Sequence, residues 1–147
     1  MREPMLTPIH DFVLNPASDG SASLRHGGSD NTFQVYGTSI CAQYRFGDHF
    51  LVFLQDLSSL DEGVGVFFLS QGDLLDFAQT TQIGLNGDLE DIQITQPDTI
   101  SFSFPDHMRW RVRCHTRSRP GLHIPTPYTF WERRHMLRSW FTLGRIN

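Results

Sequence analysis

Phe50-Leu51-Val52-Phe53-Leu54 places five apolar side chains in a row, entered through Gly47-Asp48 and left through Gln55-Asp56. Successive side chains of a strand point to opposite faces, so a run without polar alternation needs apolar cover on both sides. Five residues between turn signals are too few for a helix of ordinary length and far short of the ~20 that span a bilayer. The stretch reads as the central strand of a sheet.

Outward from it, the chain breaks into short segments with period-2 alternation, separated by turn residues every 8 to 12 positions, the pattern of an all-β protein. Upstream, Phe33 and Val35 alternate with Gln34 and Tyr36; Ile40, Ala42, Tyr44 and Phe46 alternate with Ser39, Cys41, Gln43 and Arg45. Downstream, Val64 to Leu69 and Leu74 to Gln79 flank Gln71-Gly72-Asp73, where glycine supplies the backbone freedom of a tight hairpin. Asn86-Gly87 marks a second turn, before Ile92 and Ile94. Pro97-Asp98 and Pro105-Asp106 then bracket a strand with Ile100, Phe102 and Phe104 on one face. In the next, Met108, Trp110, Val112 and Cys114 oppose Arg109, Arg111 and Arg113.

The flanks read differently. Residues 1–32, with Pro4, Pro8, Pro16 and the polar stretch Ser18 to Asn31, are expected to be irregular apart from a short strand over Asp11 to Leu14. Residues 116–125 form a Pro- and Arg-rich connector. Over 126–144, Thr126 as cap, Pro127 in the first turn and Gly144 as terminator predict a helix. Its apolar stripe of Phe130, Leu137, Trp140 and Phe141 would cover the sheet. The expected fold is mainly β: one domain over 1–147, with a meander at 33–115 forming a sandwich or half-barrel, plus one C-terminal α-helix. At 147 residues the chain is long enough to bury roughly 70% of its unfolded surface.

Charge divides the chain. Residues 1–108 carry a formal charge of −12 and residues 109–147 one of +8, and no lysine occurs. Such asymmetry speaks to partners rather than fold. Without an apolar leader or a long apolar run, the expectation is a cytoplasmic protein with no membrane association, in which Cys41 and Cys114 are reduced.

No catalytic signature accompanies the charge. His107, His115 and His123 recur at intervals of eight, but lack HExxH or paired C-x-x-C context, so no metal and no cofactor is expected. There is no G-x-S-x-G elbow, and Glu90 with Asp91, adjacent on a strand, point to opposite faces. Two polar features remain. Arg109, Arg111 and Arg113 form a ladder on one strand face, about 6.7 Å apart, suited to repeated anionic groups including nucleic acid. Asp61, Glu62, Asp88, Glu90 and Asp91 form two acidic stretches without local cations, suited to a basic protein partner.

The run from Phe46 to Cys114 carries a resemblance. With the strand Phe50 to Leu54, the hairpin Val66 to Leu75, Asp88-Leu89-Glu90-Asp91-Ile92 and Pro97 to Phe102, it resembles small β-rich bacterial proteins, some of the polymorphic-toxin immunity type. The resemblance implies a non-enzymatic protein that binds and blocks a cognate toxin. It assigns no binding residue, because immunity surfaces differ from pair to pair; Asp61, Glu62, Asp88, Glu90 and Asp91 are the expected contact surface on charge alone. The alternative is an anion or nucleic-acid binder using Arg109, Arg111, Arg113 and the C-terminal segment.

Overall fold

The computed structural model describes residues 3–17, 21–56, 63–80, 88–105, 107–123 and 130–146. Strands are numbered in chain order. The central sheet is built on the meander β5 (Ser39–Phe46), β6 (His49–Gln55), β7 (Val64–Leu69) and β8 (Leu74–Thr80). It is extended by β1 (Leu6–Pro8) beside β5 and by β12 (Trp131–Arg133) beside β8, giving the order β1-β5-β6-β7-β8-β12. Gly47, at a φ of 61°, makes the turn that pairs Phe46 with His49. The Ser70 amide donates to the Asp73 carbonyl at 2.8 Å and closes the β7–β8 hairpin where the sequence places it.

Strand β6 has cover on both faces. Phe50, Val52 and Leu54 pack with Phe67 and Leu69 of β7 against Phe12, Ala22, Leu24, Phe33 and Val35. Those partners belong to a three-stranded sheet of β2 (Phe12–Pro16), β3 (Ser21–His26) and β4 (Thr32–Tyr36). On the other face, Leu51 and Phe53 pack with Val64, Val66 and Phe68 against Ile100, Phe102, Trp110, Val112 and Phe141. These come from a four-stranded sheet in the order β13-β11-β10-β9, where β9 is Glu90–Gln96, β10 Thr99–Ser103, β11 Arg109–Pro120 and β13 Arg138–Ile146. The molecule is thus three sheets in layers, and none closes into a barrel. Each fully buried Leu, Phe or Val contributes about 1.5–3 kcal/mol of transfer free energy, and most of the largest buried side chains lie in these two interfaces.

Three expectations at the flanks fail, one of them the connector over 116–125, because β11 runs on through Pro120. Residues 1–32 hold three strands: β2 answers to the strand expected over Asp11 to Leu14, while β1 and β3 replace irregular chain, and in β3 Ala22 and Leu24 need only alternate twice to cover the face that Phe50, Val52 and Leu54 present. The C-terminal helix is absent: no helix occurs among the described residues, and 130–146 form β12 and β13. Its proposed start, Thr126 and Pro127, lies outside the described residues, as do the turn at Asn86-Gly87 and Asp106. A helix over 130–144 would leave β11 with a bare edge of backbone donors and acceptors. Instead β13 pairs with β11 from Arg109 to Cys114 and, past an irregularity, again at Arg119 and Pro120. Gly144 sits inside this ladder opposite Arg111 rather than ending a helix. Leu137, assigned to the helix's apolar stripe, is exposed, while Phe141 is buried. Since the described part has no helix, it has none long and apolar enough to cross a membrane.

Candidate functional site

The outer face of the four-stranded sheet is built by the alternation of β11. Trp110, Val112 and Cys114 face the core, so Arg109, Arg111 and Arg113 face outward; His115 follows on their side, against Thr142, but is itself buried. Register decides what lies beside them: Ser103, Ser101 and Thr99 of β10 on one side, and Ile146, Gly144 and Thr142 of β13 on the other. The small residues Gly144 and Thr142 leave a hollow there. A groove of about 380 Å³ results, lined by Arg111, Arg113, Arg119, Arg145, His115 and the β13 residues Ser139, Thr142 and Gly144, together with Pro120.

The ladder arginines are not equivalent. Arg109 donates to Ser103 Oγ at 3.4 Å and Ser101 Oγ at 3.2 Å, which holds it down on β10. Arg113 donates through Nε to Asp98 Oδ2 at 3.0 Å, leaving its outer nitrogens uncommitted. The Arg111 side chain makes no hydrogen bond or ion pair among the described residues. Burial pushes the Asp98 carboxyl up, but the Thr99 hydroxyl and the Arg113 guanidinium outweigh it and hold it below the usual carboxylate range. His115 shares a hydrogen bond of 2.9 Å with Thr142 Oγ1 through Nε2. Burial, reinforced by Arg119 and Arg113, lowers its pKa, so the ring is neutral at pH 7 and polar rather than charged.

Behind the wall formed by Arg113, His115 and Arg119 lies a second cleft of about 540 Å³, whose lining includes Glu3 and Asp98. Its charge is mixed, whereas the β11–β13 groove has no carboxylate in its lining. The acidic candidates separate into two groups. Asp88, Glu90 and Asp91 come together, exposed, at the start of β9, the far edge of the same sheet. Asp91 has a φ of 53° where the β9–β10 register shifts, which turns this edge away from regular pairing. Asp61 and Glu62 lie outside the described residues.

Nucleophilic chemistry finds no support in the thiols. Burial, with Asp88 adding to it, raises the Cys41 pKa to about 11; burial, with Asp98, raises that of Cys114 to about 12, so both are protonated. Among the described residues no three His, Cys, Asp or Glu side chains gather as a metal would require. Arg145, Ser139 and Thr142 do not stand out as site residues in the sequence, and His115 stands out there only through its spacing from His107 and His123. His115 could also have been found as the next position on that side after Arg113; the β13 residues could not, because only strand register brings them there.

Comparison with protein-family models, curated proteins and solved structures gives no significant match. Function must therefore be argued from the groove and its surroundings.

Proposed function

We propose that this protein binds a phosphate-bearing polyanion, with the groove between β11 and β13 as its receptor. The supporting observation is the lining itself: four arginines and His115, with hydroxyls from Ser139 and Thr142 and no carboxylate. Like charges crowded into one hollow repel each other, and a bound anion relieves that repulsion. Guanidinium groups fit phosphate geometry with two donors each, and the two hydroxyls add neutral donors. The recognition is of charge and shape, without a means to read a base sequence.

The test is a titration of a fluorescent mixed-sequence single-stranded oligonucleotide at increasing salt. With three or four phosphates engaged, the logarithm of affinity should fall against the logarithm of salt with a slope of about −2 to −3. Failure to bind at micromolar concentration in low salt would remove this reading.

A second reading keeps the inhibitor role. Asp88, Glu90 and Asp91 present exposed carboxylates at the β9 edge, a surface that would steer a basic toxin into contact. Here the test is association with a purified toxin encoded beside this gene. Reversing the three acids to lysine should slow association at low salt, and unchanged kinetics would count against that surface.

A further inference from the structure

Beyond the groove, where β11 and β13 separate, three large aliphatic side chains stand in solvent. Leu122 is 69% exposed, Leu137 65% and Met136 55%. They are fixed in place by backbone pairing: the Gly121 amide donates to the Leu137 carbonyl at 3.1 Å, and the His123 amide to the Met136 carbonyl at 2.7 Å. Two further bonds tie the segment to β8, from the Arg134 amide to the Phe77 carbonyl at 3.2 Å and between His135 Nε2 and the Leu75 carbonyl at 3.1 Å. The other exposed large apolar residues, Met5, Val13, Tyr36 and Ile94, lie in four separate segments. Around this one cluster, Arg117, Arg119, Arg134 and Arg138 are all exposed, against a single exposed acid from 107 to 146, Glu132.

A hydrated polyanion has no use for three aliphatic side chains, and an ordinary solvated surface would not gather them. The chemistry that matches an apolar cluster ringed by guanidinium groups is an anionic lipid surface. Aliphatic side chains enter the boundary between headgroups and acyl chains, while arginines stay with the lipid phosphates. We propose that this end of the β11–β13 pair docks the protein on anionic membranes through Leu122, Met136 and Leu137. That no helix among the described residues is long and apolar enough to cross a membrane does not bear on this, because surface contact needs none. The apolar residues that carry the inference lie outside the groove lining, and of the surrounding arginines only Arg119 is shared with it, so variants at Leu122 and Leu137 test docking separately from polyanion binding.

The experiment is flotation of the full chain with vesicles of phosphatidylcholine alone and of phosphatidylcholine with phosphatidylserine. Binding is expected to the second only. The pair Leu122→Ser and Leu137→Ser should reduce it about tenfold or more, because two side chains lose their apolar partition. The same variant should keep the wild-type melting temperature and oligonucleotide affinity. No flotation with the anionic vesicles, or a double variant that floats as well as wild type, overturns the proposal. So does a concentration-dependent dimer abolished by the double variant, which would assign the cluster to contact between two copies.

Discussion

Arg133 Nη2 donates to the fully buried Asp76 Oδ2 at 3.1 Å, and the same oxygen accepts the Trp140 amide at 2.8 Å. Arg133 Nη2 also donates to the Phe141 carbonyl at 2.8 Å, and its guanidinium carbon lies 4.3 Å from the centre of the Phe141 ring. One carboxylate on β8 therefore fastens β12 and β13, joining the central and four-stranded sheets. Burial lowers the Arg133 pKa, and the Asp76 charge works against that shift. Truncating one partner leaves the other charged and desolvated, so Asp76→Ala should destabilise the fold by about 3–5 kcal/mol in a denaturant titration. Replacing both, as Asp76→Leu with Arg133→Met, should cost less than the single change. A double variant less stable than Asp76→Ala would show that the pair contributes more than mutual neutralisation.

Groove binding should respond to charge along its β11 wall. Arg111 and Arg119 both line the groove from β11, and the variant Arg111→Glu with Arg119→Glu should weaken oligonucleotide affinity by about tenfold or more. Its salt slope should become shallower by about 1 to 2. Arg109, already held by Ser101 and Ser103, should matter less; Arg109→Gln is expected to change affinity by less than about threefold, in the range of a screened surface charge.

The pH dependence follows from His115. Its folded pKa lies below 6.5, so folding favours the neutral ring: that stability is fully present above pH 6.5 and is lost as pH falls through the lowered folded value. An anion in the groove reverses the preference, since imidazolium attracts it. Anion affinity should therefore rise as pH drops below about 6.5, and His115→Gln should remove the rise. A pH-independent affinity in the wild type would place the bound anion away from His115.

Asp98 gives a separate acid limb. Its folded pKa is depressed, so its contribution is present above the unfolded value of about 3.9 and disappears as pH falls through the lower folded one. Thermal melts should fall in this window for wild type and less for Asp98→Asn. Because Asp98 and Arg113 are partly exposed, the effect is a fraction of a kcal/mol to about 1 kcal/mol.

The middle of the fold was legible because its residues state their own burial. Phe50 to Leu54 asks for two covered faces and has them, and the strand with Arg109, Arg111 and Arg113 alternates without fault. The flanks were not, for opposite reasons. In β3 the inward signal is only Ala22 and Leu24, too short to stand out against Ser21, Ser23 and Arg25. In 130–146 the aromatics fit a helical stripe nearly as well as a strand, and the deciding influence is the open edge of β11, a tertiary demand with no local mark. The ladder half of the groove was readable for the same reason as the core. Arg145, Ser139 and Thr142 were not, since they meet it only through pairing across the sheet. Asp76 carries a signal of its own: a lone acid within Leu74-Leu75-Asp76-Phe77-Ala78 must find a cation or an amide.

The central sheet begins at Leu6 and is completed by Trp131 to Arg133, so its two border strands are separated by most of the chain. During synthesis the meander β5 to β8 emerges long before β12 exists to cover the outer edge of β8. Both of its faces are apolar, yet the four-stranded sheet that shields one of them is complete only once β13 has formed. Loop-closure entropy over such separations makes folding slow. Until β13 has been made and paired, the growing chain exposes Leu51, Phe53, Val66 and Phe68 together, a surface that chaperones would recognise.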